Sequence, residues 1–275
     1  MGPSWSHPED VSMMKSNFSF LQDRFPVLEK FGSLTERYCY SDANSCLMKL
    51  GMIGETIVNL IFSYDRIPLP RDNTAVARID TLLREGLISR ELSDVLHALR
   101  KARNKAAHEN YGSAAEGKIL LPMAYGLCEW FMGVYGDCNY QNQPFQMPQP
   151  EEESARSDKA AEEKEAAILM EKAAKTAAAA EKISPEKRRQ QAQKAAGRRV
   201  ISEAETRYLI DEQLRSVGWE VNAENLRHAR PEKEPQPCHC RMAYGAYTRE
   251  RKSIPVCYKS NAVYTEYVRL SCGKI

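Results

Sequence analysis

The stretch "CLMKLGMIGETIVNLIF", Cys46–Phe62, decides the fold class. Its apolar residues Leu47, Leu50, Ile53, Ile57, Val58, Ile61 and Phe62 recur at three- and four-residue intervals, which places them on one face of an α-helix. Such a stripe is a core-facing helix that needs other helices to cover it. Outward from it, "YDRIPLPRDNT" breaks the pattern with two prolines, and "AVARIDTLLREGLI" resumes helical spacing until Gly86. "SRELSDVLHALRKARNKAAHENYG" opens on an N-cap serine, Ser89, and closes on a basic turn with Gly112 in a C-cap position. Leu120 to Tyr135 supplies a further apolar helix. Nothing in residues 17–140 alternates as a strand does, so the fold class is mainly α, a small helical bundle.

Two further zones follow. "QNQPFQMPQPEEE" is a Pro- and Gln-rich linker. Residues 154–199 are dominated by Ala, Glu, Lys, Arg and Gln, which favour helix, with Ile168, Leu169 and Met170 the main apolar cluster. Without a heptad seam, residues 141–199 read as a linker and a long, solvated helical spacer. "SPEKRR" restarts the helix, with Ser184 as N-cap and Pro185 at the first helical position. The third zone, "ISEAETRYLIDEQLRSVGWEVN", carries a capping-box pair, Ser202 and Glu205. Ile210, Leu214 and Val217 share one face, Gly218 closes the helix, and "WEVN" begins a strand.

The composition restricts function. Thirty-nine basic and 37 acidic residues leave a net charge of +2, so bulk charge gives no reason to expect a polyanion partner. No secretory signal opens the chain, and no run of about 18 uninterrupted apolar residues occurs; "LLPMAYGLCEWFMGVYG" comes closest. A cytoplasmic location and no membrane partner are the expectation. Eight cysteines are then read as thiols, with Cys39, Cys46, Cys128 and Cys138 expected as small buried groups.

"RNKAAH", Arg103–His108, is the candidate chemistry. Asn104 and His108 lie one helical turn apart on one face, and Arg103 sits about 140° around from His108. Arg103 is suited to hold a phosphate and His108 to move a proton, as metal-free RNA cleavage requires. The competing reading is that Arg100, Lys101, Arg103, Lys105 and His108 are cations favouring the C-terminal end of a helix dipole. His97 has no evident partner. "GSAAEGKI", Gly112–Ile119, nearly spells a P-loop, but Ile119 stands where Ser or Thr holds magnesium, and nucleotide binding there is rejected.

Arg103, Asn104 and His108 resemble the Arg-Asn-x-x-x-His signature of the HEPN superfamily, whose members include metal-independent RNases that pair two motifs across a dimer. That resemblance spans residues 17–140 and implies a HEPN-like bundle, with RNA as a candidate partner. "SEAETRYLIDEQLRSVGWEVN" closely resembles the segment that opens the nuclease domain in the R subunit of type I restriction-modification enzymes. That family often places a helical domain of unknown function and a charged spacer first, the order seen here. The resemblance implies methylation and specificity subunits as partners, and in the intact family DNA cleavage with ATP and magnesium. Here no Glu-x-Lys strand follows Val221 and no complete P-loop occurs, so the chain itself is expected to hold no cofactor and residues 200–233 to be a truncated α/β opening.

"EPQPCHCRMAYG", Glu234–Gly245, puts two cysteines around a histidine, but a single Cys-x-Cys pair is poor zinc-ligand spacing. Relatives typically continue here with Arg-Asn-Leu-Ala-Ile-Ala-Glu-Trp-Pro. The codons of Pro235 to Ala243 permit that peptide, without a gap, when read one base later. Residues 234–275 are therefore read as a frameshifted, irregular tail replacing the rest of a longer protein.

Overall fold

The computed structural model describes residues 16–149, 159–199, 201–219 and 221, all within one unit spanning Met1–Val221. A 3-10 turn, Asn17–Leu21, leads into α1 (Pro26–Ser41), α2 (Ala43–Asp65), α3 (Ala75–Arg84), α4 (Arg90–Glu109) and α5 (Ala114–Phe131), which runs on into a π-helical turn, Met132–Gly136. Then come α6 (Lys159–Ala179), α7 (Pro185–Ala196) and α8 (Glu203–Ser216). No strand occurs among the described residues, so the mainly α class holds. Of the strand expected at Trp219–Asn222, Glu220 and Asn222 lie outside the described residues, as does the whole of 234–275.

α2 is the central element. Leu47, Leu50, Ile53, Ile57 and Ile61 are fully buried, and α1, α4, α5 and α6 pack around it. Asp42 ends α1 and begins α2: its carboxylate accepts from the Ser45 N–H at 3.0 Å and the Ser45 hydroxyl at 2.7 Å. One residue thus joins two helices that pack on one another. Among the described residues α2 is the helix long and apolar enough to cross a membrane, rather than the α5 stretch singled out from sequence. Of its most apolar window 72% is buried inside the bundle, as befits a core helix.

The caps explain most helix ends. Ser89, Ser113, Ser184 and Ser202 each accept from a backbone N–H of the first turn, and the Ser202–Glu205 capping box is complete in both directions. α4 stops at Asn110, in the left-handed region (φ 49°), two residues before the expected Gly112. Asn44 Nδ2 donates to the Ala106 and Tyr111 carbonyls at 2.8 and 2.9 Å, satisfying that end. α5 begins at Ala114, six residues earlier than expected, so the P-loop-like "GSAAEGKI" is a cap and a first helical turn.

The alanine-rich segment is two helices, the second restarting at Ser184 and Pro185 as expected, but both lie on the bundle instead of standing in solvent. α6 packs on α1 and α2 through Glu162, Ala166, Leu169, Met170, Ala173 and Ala177, a three-four repeat of which half is alanine. Methyl groups let the helix approach closely, and the large residue Ile168 points outward, 68% exposed. Glu162 accepts from the Tyr38 hydroxyl at 2.6 Å and from Arg37 at 2.8 Å, and Lys30 pairs with Glu165 at 2.7 Å.

α7 is fastened by a buried cluster. Arg188, 3% exposed, donates to Asp65 at 2.9 Å and to the Val134 carbonyl at 2.7 Å, and its guanidinium lies 4.1 Å from the Tyr135 ring centre. The Tyr135 hydroxyl donates to the other oxygen of Asp65 at 2.6 Å. Trp130 Nε1 donates to the Ala192 carbonyl at 3.1 Å. α8 then covers α4 and α5: Tyr208 donates to Glu116 at 2.5 Å, and Lys101 meets Glu212 at 3.7 Å. Ile210, Val217 and Trp219 remain exposed. The segment after α5 is tied down at Glu129, which accepts from the Gln143 N–H at 2.6 Å and from Tyr125 at 3.2 Å. Burial raises the Glu129 pKa above the ordinary carboxylate value.

Candidate functional site: an arginine-lined cleft

A cleft of about 320 Å³ opens where α2, α3 and α4 meet. Its floor is apolar, made by Val58, Ile79 and Leu96, and its rim is polar. On α2, Gly51 leaves room for a neighbour: a Cβ there would run into the Cβ, Cγ and Cδ atoms of Arg103, whose stem crosses the glycine. Replacing Gly51 by any larger residue would therefore have to part α2 from α4.

Arg103 and Asn104 both line the cleft, and His108 does not. Arg103 turns toward α2, where its guanidinium pairs with Glu55, both groups being partly exposed. Asn104 and His108 are solvent-exposed, on the side away from the packed face of α4. The angular separation read from sequence is thus realised: Arg103 faces a neighbour helix, and His108 faces solvent one turn farther on.

Two arginines outside the sequence motif complete the site. Arg78, from α3, donates through Nη1 to Asn59 Oδ1 at 2.5 Å and through Nε to Asn73 Oδ1 at 2.9 Å. Both acceptors are neutral, and Arg78 forms no ion pair among the described residues. Arg100, from α4, lines the same cleft, and its buried Nε has no hydrogen-bond partner among the described residues. His97, on the adjacent face of α4, has its Nε2 3.6 Å from Asp80, the partner not foreseen from sequence. Burial, and then the charge of Arg100, lower its pKa below the usual histidine value.

The cysteines fall in two groups. Cys39, Cys46 and Cys128 are buried thiols, as expected, whereas Cys138 is exposed. Cys39 and Cys46 face one another across the α1–α2 contact and share a hydrogen bond, which lowers the pKa of the first and raises that of the second.

Residues 35–135, which include the cleft and all of α2 to α5, match the family model described as a domain of unknown function, DUF4145. The type I restriction enzyme EcoKI endonuclease subunit of Escherichia coli (strain K12) is 25% identical over 280 residues, covering 80% of this chain and 23% of that protein. The chain is a distant relative of a type I restriction endonuclease subunit. It spans less than a quarter of that relative's length. No solved structure matches. The restriction-enzyme relationship inferred from "SEAETRYLIDEQLRSVGWEVN" is thereby supported over much more of the chain than that segment.

Proposed function

We propose that this chain acts as a docking module of a type I restriction-modification endonuclease subunit, binding the methylation and specificity subunits rather than carrying out chemistry itself. The observation that carries this reading is the relationship to an endonuclease subunit over 80% of the chain. The motif geometry supports binding over cleavage, because Arg103 is engaged by Glu55 and His108 lies outside the cleft that Arg103 lines. On this reading the chain works in the cytoplasm, and alone it neither cleaves DNA nor hydrolyses ATP, whatever ATP and magnesium do in a whole R subunit. Co-expression with the methylation and specificity subunits tests it: the chain is expected to co-purify with them, and His108→Ala to co-purify equally well. Failure to co-purify sinks the docking role.

A second reading keeps the HEPN resemblance as function, a metal-independent RNase or RNA-binding module. Asn104 and His108 favour it in one respect, since both are exposed and free to meet a second copy. It expects RNA cleavage in the presence of a chelator, abolished by His108→Ala. The docking reading expects none.

The tail belongs to the same proposal. Residues 234–275 are the out-of-frame reading of a segment that in relatives runs Arg-Asn-Leu-Ala-Ile-Ala-Glu-Trp-Pro. The nucleotide sequence of the gene tests this at once: reading one base later must give that peptide, and any other continuation defeats the idea.

A further inference from the structure

We propose that the cleft between α2, α3 and α4 is a binding site for a phosphate group, held by Arg78 and Arg100 with Arg103 at its edge. The inference is independent of the docking role, since it rests on the cleft alone.

Three arginines from two helices line one cleft, against a single carboxylate, Glu55. Arginines that share a cleft repel one another, and bulk water screens that repulsion only where it has access. A fold normally relieves such crowding with acidic partners. Here Glu55 serves Arg103, while Arg78 leans on two asparagine oxygens. Arg100 forms no ion pair among the described residues, and its buried Nε–H lacks an acceptor. A buried donor left unsatisfied costs about 1–3 kcal/mol, which an arriving anion recovers. The planar guanidinium fork matches the oxygens of a phosphate better than any single-point cation does.

α3 contributes from the same side. Thr74, Ala75 and Val76 line the cleft, and Thr74 caps the helix through the Ala77 N–H at 3.2 Å. The first-turn N–H groups of Ala75 and Val76 have no intrahelical acceptor, so the positive end of the helix dipole adds to the arginines. The volume, about 320 Å³, is at the lower end for small-molecule sites and is close to what a mononucleotide fills. Val58, Ile79 and Leu96 offer an apolar surface for a base or sugar, with Asn59, Asn73 and Asn104 around the rim.

Titration calorimetry on the full chain tests the proposal, with adenosine monophosphate, adenosine and a short oligothymidylate as probes at low salt. The monophosphate or the oligonucleotide is expected to bind and adenosine not to. Whichever of the two binds more tightly tells a free nucleotide from a nucleic-acid backbone as the phosphate's source. Arg100→Gln, at a side chain that forms no ion pair among the described residues, should weaken binding at least tenfold. Arg78→Lys, which keeps the charge but loses the fork, should weaken it less, and Glu55→Gln should tighten it several-fold. Equal binding of adenosine, no binding of either phosphate probe at millimolar concentration, or binding unchanged in a folded Arg100→Gln would each overturn the proposal.

Discussion

Asp65→Ala is expected to destabilise the bundle by about 3–5 kcal/mol, the cost of leaving a buried guanidinium without its carboxylate. Asp65 is the only carboxylate on Arg188 among the described ion pairs, and it also accepts from the Tyr135 hydroxyl, so one substitution strands two donors. In a domain of this size each kcal/mol shifts the melting temperature by about 2–4 °C, so the loss should be roughly 6–20 °C by thermal unfolding. Arg188→Met should cost nearly as much, because it leaves the buried Asp65 carboxylate without its cation, although the Tyr135 hydroxyl still donates to it. If the two substitutions prove equally mild, the cluster does not hold α7 to the bundle.

The second large effect is expected at α6. Ala166→Glu places a carboxylate at a fully packed position of the alanine stripe, beside Glu162 and Glu165. Burying an unpaired charge costs more than a helix docked by methyl groups can gain, at about 0.8 kcal/mol for each buried carbon. The predicted outcome is release of α6 rather than unfolding of the core, seen as rapid proteolysis within residues 159–179 and a melting transition retained for α1 to α5. Ile168→Glu, two positions away on the exposed side, should change stability by no more than about 0.5 kcal/mol. Similar behaviour of the two variants would mean that α6 stands in solvent after all.

These two expectations mark where the sequence is hard to read. The α2 stripe is legible because large apolar side chains at helical spacing have to be covered by neighbouring elements, and the Ser202–Glu205 box because its residue types and spacing specify a cap. α6 is not, since alanine is the best helix former and is equally at home in solvent, so its burial leaves no periodic signal of the kind leucine gives. Arg188 and Glu162 look like charges on a wet surface because their partners, Asp65, Tyr38 and Arg37, lie more than 120 residues away in the chain. The candidate site divides in the same way. Arg103 and Asn104 follow from a local motif, whereas Arg78 and Arg100 become a site only when α3 folds against α4. In the sequence Arg100 is one of several cations favouring the helix end, and what distinguishes it is a missing partner, which no sequence displays.

The docking role is tested most directly by amide hydrogen exchange of the full chain, alone and mixed with the methylation and specificity subunits. Alone, α6 and α7 should be protected along with α1 and α2, because they are packed elements of one bundle. With the subunits present, a contiguous patch of the bundle surface should gain further protection, in His108→Ala as in the unaltered chain. An exchange pattern that the subunits leave unchanged would contradict the docking role.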